Sequence, residues 1–441
     1  MEKEQLLEYV KSQGIKFIRL QVTDINGMLK NVEVPSSRLE QVIKDGTMFD
    51  GSSIEGLARI DESDMILKPD LNTFTILPWT VERGKVGRLI CDVYTTTGKP
   101  FEGDSRYILK KVVKKLEEKG YTGYCGPEPE FFLLPKDEKN KQIKLEFLDE
   151  GGYFDLLPVD LGEETRKSIV NALQVMGLKV EASHHEVAPS QHEIDFQYDD
   201  LISTADNIQT FKLVVKTMAL IRGLHATFMP KPFPMVNGSG MHANTSLFKE
   251  DKNIFFNKDG DYQLSQELRY FVGGVIKHIP AITAIANPTI NSYKRLIPGY
   301  EAPVNVAWSV SNRSALIRVP AARGKGTRAE LRSPDPTSNP YLLLAVIFGC
   351  GLKGIEEKIT PPDPVIEDIY SMDNNRKIDL GIGKLPGSLK ESLNELKRDN
   401  FVREIIGEHI YKTFISIKEK EIECFKVHVT DWEIDQYLKL Y

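Results

Sequence analysis

Cysteine is scarce: Cys91, Cys125, Cys350 and Cys424 are scattered over 441 residues without a Cys-x-x-Cys pair, which excludes a zinc ribbon or a disulfide framework as the basis of the fold. Positive charge is also short, since 57 Lys and Arg face 63 Asp and Glu for a formal net charge of -6. A general binder of nucleic acid backbone needs the opposite balance, although a local arginine cluster could still meet an anionic substrate. The longest apolar run, near Leu342 to Cys350, is too short to cross a bilayer, so no membrane partner is expected. The opening MEKEQLLEYVKS is acidic and amphipathic, not a basic segment followed by an apolar one. No secretion signal is therefore expected, and reduced thiols in the cytoplasm fit. Two motifs are missing as well. No His-Glu-x-x-His helix occurs, and Gly324-Lys325-Gly326-Thr327 lacks the order of a Walker loop, so any nucleotide must be held in another way.

What is present describes a globular chain, 41% hydrophobic and long enough for two or three domains. Residues 2 to 12 read as a helix ended by Gly14, Ile15 to Thr23 as a strand, and Asp24-Ile25-Asn26-Gly27 as the turn into a partner strand, Met28 to Val34. Ser37 with Glu40 has capping-box spacing and predicts a helix ending at Gly46. Asp104 caps an amphipathic pattern to Lys119, and further helices are predicted over 163–177, 199–223, 264–279 and 337–355. From Ser388 onward the pattern is almost wholly helical, with Thr430 and Glu433 forming a last capping box. The unusual residues lie in strand-like runs between these helices, and the fold class is α+β.

Gly126-Pro127-Glu128-Pro129-Glu130 places two carboxylates on one face of an extended segment, where they repel unless a cation lies between them. A Lys or Arg partner is the bland explanation for one such pair. His184-His185-Glu186-Val187-Ala188-Pro189-Ser190-Gln191-His192-Glu193 adds two acids and three histidines around a helix-breaking proline. Ligand sets dominated by oxygen favour Mg²⁺ or Mn²⁺ over zinc. Asn237-Gly238-Ser239-Gly240-Met241-His242 is a glycine-rich bend that ends in an imidazole, a weak signal by itself. Between Tyr293 and Arg332 lie Arg295, Arg313, Arg318, Arg323, Lys325, Arg328 and Arg332, set among apolar strand formers. In extended geometry Arg328, Glu330 and Arg332 share a face. That face is either a salt-bridge ladder or a metal ligand flanked by clamps for phosphate and carboxylate.

Taken together, these motifs resemble type I glutamine synthetases over essentially the whole chain. Phe49-Asp50-Gly51-Ser52-Ser53 with Glu62-Ser63-Asp64, Lys231-Pro232 through His242 and Ser246, Asn291 to Arg295, Asn312-Arg313-Ser314 and Glu330 to Asp335 follow in the family's order. The resemblance implies an amino-terminal β-grasp domain over about residues 1–100. A catalytic domain over 101–441 would follow, with a curved antiparallel sheet flanked by helices and a helical carboxy-terminal segment. It implies ATP-dependent ligation of ammonium to glutamate through γ-glutamyl phosphate, with two or more Mg²⁺ or Mn²⁺ per site. Glu130, Glu186 and Glu193 would hold one metal; Glu128, His242 and Glu330 would hold the other. Arg313, Arg318 and Arg328 match positions around the transferring phosphate and nucleotide, with Ser246 and Lys325 also on the ATP side. Arg295, Arg332, Asn237 and Gly238 match positions around glutamate. Glu301, in a proline- and glycine-rich segment suited to a lid, would accept a proton from the tetrahedral adduct. Asp50 would bind and deprotonate ammonium in the neighbouring subunit's site.

The resemblance further implies a dodecamer of two hexameric rings with sites between subunits. No tyrosine occurs between Tyr370 and Tyr411, which argues against adenylylation. Arg59 matches the Gram-positive branch, implying feedback inhibition by glutamine and contact with nitrogen-response transcription regulators; a solvated surface charge is the alternative. A sister ligase joining glutamate to a polyamine or another amine would keep the same machinery, and a non-catalytic relative is the remaining alternative.

Overall fold

The computed structural model describes residues 1–54, 56, 63–137 and 142–441, so Arg59 and Glu62 lie outside the described residues. The chain begins with a helix, Lys3–Ser12, and the expected hairpin of strands β1 (Phe17–Thr23) and β2 (Leu29–Pro35). Its turn closes where the Met28 amide donates to Asp24 Oδ1 at 2.8 Å. Gly27 sits there at φ +78°, and a Cβ on it would stand 2.9 Å from Asn339 Cα, so glycine also lets this hairpin seat against the second domain.

The predicted capping box does not form. A 3-10 turn takes up Ser36–Arg38, the helix runs over Leu39–Asp45 with Arg38 at its cap, and Glu40 instead pairs with Lys3 at 3.0 Å. The turn following Pro35 moves the helix start past Ser37, which leaves Glu40 too near that start to reach back. Gly46 ends the helix as expected. Strands β3 (Thr47–Asp50), β4 (Asp64–Ile76) and β5 (Val86–Thr95) complete a sheet of order β2-β1-β5-β4-β3, with β1 and β5 parallel. Leu6, Val10, Ile18, Leu20, Leu39 and Leu89 fill the core between this sheet and the two helices. This is the β-grasp fold.

The remainder is built on one long strand, β6 (Thr122–Pro135). Further strands are β7 (Val180–His185), β8 (Gln191–Phe196), β9 (Asp199–Asp200), β10 (Leu224–Thr227), β11 (Met241–Lys249) and β12 (Lys252–Asn253). After β13 (Asn305–Val306) come β14 (Trp308–Ser309), β15 (Ile317–Arg318) and β16 (Ala329–Leu331). Their order is β14-β15-β16-β11-β6-β8-β7, antiparallel except for β14 with β15, while β13 pairs separately with β17 (Gly383–Lys384). Along β6 the partner changes at Pro129–Glu130, from β11 to β8 and β10, and the sheet curls there.

Buried helices support this sheet. The apolar run near Leu342 belongs to Pro340–Glu357, a helix buried on nearly every side. No helix among the described residues is long and apolar enough to cross a membrane. The helix expected to stop at 279 runs from Gln266 to Ala286 through Pro280. An internal proline removes one backbone bond, but Ile279 before it and residues 281–286 after it are buried in the core, and that packing outweighs the loss. Thr430 and Glu433 make the expected capping box.

Arg106, only 3% exposed, joins the two domains. Its guanidinium meets Asp70 at 2.8 Å and Asp92 at 2.7 Å on the first sheet, and Asp206 at 2.9 Å on the Leu201–Ile221 helix. Tyr341 Oη donates to the same Asp206 at 2.7 Å. Removing one member of a buried charge cluster leaves the rest uncompensated. Arg106→Met is therefore expected to cost about 3–5 kcal/mol in chemical denaturation; a loss under about 1 kcal/mol, as for an exposed pair, would show that the junction does not depend on it.

Candidate active site

Strand register assembles the acidic residues. Across β6 and β11 Glu128 faces His242; across β11 and β16 Asn244 faces Glu330; across β6 and β8 Glu130 faces Glu193. Because side chains alternate, one register fixes a whole row of functional groups on one surface.

Glu128, His242 and Glu330 bring ligand atoms within 4.8 Å of one another. His242 Nδ1 lies 3.1 Å from Glu128 and 3.6 Å from Glu330. Glu330 is buried between Arg318 at 2.6 Å and Arg332 at 3.2 Å. Burial opposes the ionised form of Glu128, yet hydrogen bonds from His242 and Asn244, with the Arg328 charge, hold it down to about 2. Two oxygens and an imidazole nitrogen on a rigid sheet suit a divalent cation such as Mg²⁺ or Mn²⁺.

Glu130, Glu186 and Glu193 lie beside this group and are not gathered as tightly. Each turns to a local donor: Glu130 accepts from Gln191 Nε2 at 2.7 Å and the Gly240 amide at 2.9 Å, and Glu186 from the Val187 amide at 2.8 Å. Glu193 lies 3.2 Å from His184 Nε2, and His184, Glu193 and Asp195 form a second cluster within 4.8 Å. Burial, followed by the Glu130 charge, raises the Glu186 carboxyl to about 8 and pushes Glu193 well above the usual range. Burial and Glu128 bring Asp195 to about 7. So many acids in one low-dielectric place fit a cation-binding role. Asp149, Asp160, His185 and His192 form another buried group, but Arg166 already bridges Asp160 at 2.6 Å and His192 at 2.9 Å, which makes it an ion-pair knot behind the hairpin.

Two openings flank the row. The first, small and polar, joins Glu130, Glu186, Asn237, Gly238, Arg295, Glu301 and Arg332. Arg295 is buried and fixed by the Ser333 carbonyl at 2.7 Å, and a Cβ on Gly240 would stand 2.6 Å from its Nη2, so only glycine admits it. Arg332 Nη1 is buried without a hydrogen-bond partner among the described residues, a donor left for a ligand. Glu301, exposed at φ +54°, accepts from Asn237 Nδ2 at 3.3 Å. The second opening is a cavity of about 360 Å³ lined by Glu128, Asn244, Ser246, Lys325 and Arg328, among others. Asn244 orients Arg328 through a 2.8 Å bond from Nε.

Three predicted residues stand apart. Arg318 is turned to Glu330 and does not line the second cavity. Arg313 is exposed, with no hydrogen bond or ion pair among the described residues. Asp50 lies at the exposed end of β3, an edge strand of the first sheet, with only local bonds to Ser52 and Ser53. Conversely, Gln191 and Asp195 belong to the site without having been singled out. Both share the period-two face of Glu193, so alternation along β8 could have found them.

Comparison with known proteins decides between the alternatives. A model of the glutamine synthetase catalytic domain matches residues 102–437, and one of the glutamine synthetase beta-Grasp domain matches 14–96. The chain belongs to the glutamine synthetase family. It is 58% identical over 440 residues to the glutamine synthetase of Thermotoga maritima, with 100% of both chains covered. It is 54% identical over 443 residues to that of Thermus thermophilus, covering 100% of this chain and 99% of the relative. Among solved structures it resembles Plasmodium falciparum glutamine synthetase with a TM-score of 0.89 at 28% identity, covering 99% of each chain. A GmaS/ADP complex aligns with a TM-score of 0.89 at 30% identity, covering 98% of this chain and 99% of that one. The protein joins ammonia to glutamate at the expense of ATP, as its family does with divalent metals in oligomeric assemblies.

The raised carboxyls carry a sign that can be tested. A carboxyl whose folded pKa lies above its unfolded value favours the native state when protonated, so its contribution is lost as pH rises. In EDTA, the melting temperature should fall between about pH 4.5 and pH 8 through the Glu186 contribution, and Glu186→Gln should flatten that fall. Differential scanning calorimetry showing parallel curves for both proteins would contradict this.

Proposed function

We propose that the Glu128–His242–Glu330 cluster and the neighbouring Glu130, Glu186 and Glu193 each hold a divalent cation, at least two Mg²⁺ or Mn²⁺ per site. The observation that carries this reading is the first cluster, with ligand atoms within 4.8 Å on three adjacent strands and arginines on both sides of Glu330. When bound, such cations neutralise and align the anionic groups that must meet in phosphoryl transfer.

The chain's own residues then take the following parts. Arg295 and Arg332, with Asn237 and Gly238, hold glutamate in the polar opening so that its γ-carboxylate faces the cavity of Ser246, Lys325 and Arg328, where ATP lies. Arg313 and Arg318 steady the transferring phosphoryl group, and γ-glutamyl phosphate forms. Acyl phosphates hydrolyse readily, so Glu301 on its proline- and glycine-flanked lid closes the opening against water. Ammonia attacks the acyl carbon, Glu301 takes the surplus proton, and phosphate leaves to give glutamine. Asp50 supplies the carboxylate that captures ammonium and removes its proton, but it does so in a neighbouring subunit. Its exposure and local bonding support that division of labour.

The assembly we infer is a dodecamer of two hexameric rings in the cytoplasm. The exposed apolar side chains of the carboxy-terminal segment, among them Trp432, Leu438 and Tyr441, support docking of that segment onto another copy. Feedback inhibition through Arg59 and binding of nitrogen-response transcription regulators belong to the same reading.

The direct test is glutamine formation by purified protein with ATP, glutamate and Mg²⁺, using ammonium, putrescine or ethanolamine. Ammonium-dependent glutamine is expected, and turnover with only another amine would overturn the assignment. Glu301→Ala should keep its melting temperature yet lose roughly 10²–10⁴-fold in glutamine formation, the usual range for a removed acid–base group. Unchanged synthesis would remove Glu301 from its role.

A further inference from the structure

A cavity of about 540 Å³ lies where the amino-terminal hairpin turn meets the catalytic domain, and it shares no lining residue with either opening of the active site. Its described lining contains no carboxylate but four basic side chains: Lys212 and Lys216 on the Leu201–Ile221 helix, His225 on β10, and Lys418. Among the described residues only Lys418 has an acidic partner within ion-pair distance, Glu421 at 2.9 Å. Lys212 Nζ donates to the Ser338 carbonyl at 3.2 Å, while Lys216 Nζ has no hydrogen bond or ion pair among the described residues and rests 5.7 Å from the Phe228 ring centroid.

Lys212 and Lys216 are four residues apart on a helix, so their ammonium groups share a face, and like charges at that spacing destabilise each other. Burial, then the Lys216 charge, pushes Lys212 down to about 7, with Asp335 beyond the wall opposing. A doubly charged anion would relieve this repulsion and supply the counter-charge that neither lysine has among the described residues, where Lys212 meets only a neutral carbonyl. The rest of the lining mixes polar side chains such as Gln209 and Thr289 with apolar ones, among them Met28, Phe228 and Met229, which would cover a carbon skeleton better than an inorganic ion.

We propose that this cavity is a binding site for a small organic anion with at least two negative charges, a polycarboxylate or a phosphate monoester. Its place gives such a ligand access to the active-site frame. Thr337, in its wall, donates through its amide to Asp335 at 2.9 Å, at the end of the Glu330–Asp335 segment. Thr289, also in the wall, contacts Ser292 at 2.8 Å, in the short helix that carries Arg295.

The test is calorimetric titration of the full-length protein with citrate, glycerol 3-phosphate and inorganic phosphate, comparing wild type with Lys216→Met and Lys212→Met. Anions held by the active-site arginines are unaffected by these changes, so the cavity appears as the binding component that the lysine variants lose. Citrate or glycerol 3-phosphate is expected to show a component weakened at least tenfold in Lys216→Met, and which of them shows it identifies the ligand class. Lys216 lies at the exposed mouth and its replacement should leave the melting temperature unchanged, so the result stands even if Lys212→Met folds poorly. Titrations identical in wild type and Lys216→Met, or inorganic phosphate binding as tightly as both organic anions, would overturn the proposal.

Discussion

The burial of mutually repelling carboxylates is the constraint on which this structure turns. Glu128, Glu130, Glu186, Glu193, Asp195 and Glu330 converge where the large sheet curls, and burial, reinforced by the neighbouring carboxylate charges, pushes Glu186, Glu193 and Asp195 towards the neutral form. A chain folding only for stability would place hydrophobic side chains there. Retaining the acids makes sense where divalent cations and a phosphoryl group must be brought together. The local donors that now hold them, Gln191, His184 and the Gly240 and Val187 amides, keep each carboxylate near its post.

Such a site requires a stiff frame, and the fold provides it through register and buried ion pairs. Six aligned strands carry the row from Arg318 to His184, and a one-residue slip in any of them would turn its functional side chains to the other face of the sheet. Behind the row, Arg166 ties Asp160 to His192, and between the domains Arg106 ties Asp70 and Asp92 to Asp206. Glu301, in the segment proposed as a lid, stands in a left-handed conformation and is exposed.

Much of this was legible in the sequence because alternation in a strand is a local property. Glu128 with Glu130, and Arg328 with Glu330 and Arg332, could be placed on common faces before any strand pairing was known. Helices announced by caps, such as Asp104 and Thr430, fell where expected. Tertiary packing hid the rest. The helix placed over 264–279 runs on through Pro280 to Ala286 because of packing that its sequence does not show, and Ser37 read as a cap because the 3-10 turn after Pro35 leaves no local signature. Which acid sits against which was illegible for the same reason. The pairing of Glu193 with His184 rather than Glu130 depends on side-chain directions across three strands, and although alternation puts Gln191 on the site's face, nothing local names Glu130 and the Gly238 carbonyl as its partners.

The central claim is that the acidic row is a cation site. Its most direct test is the titration of metal-free protein with Mn²⁺, counting free ion by electron paramagnetic resonance. At least two ions bound per subunit are predicted, with one lost when His242 is replaced by alanine. A protein that leaves all the Mn²⁺ free, or binds the same number with and without His242, would contradict the account.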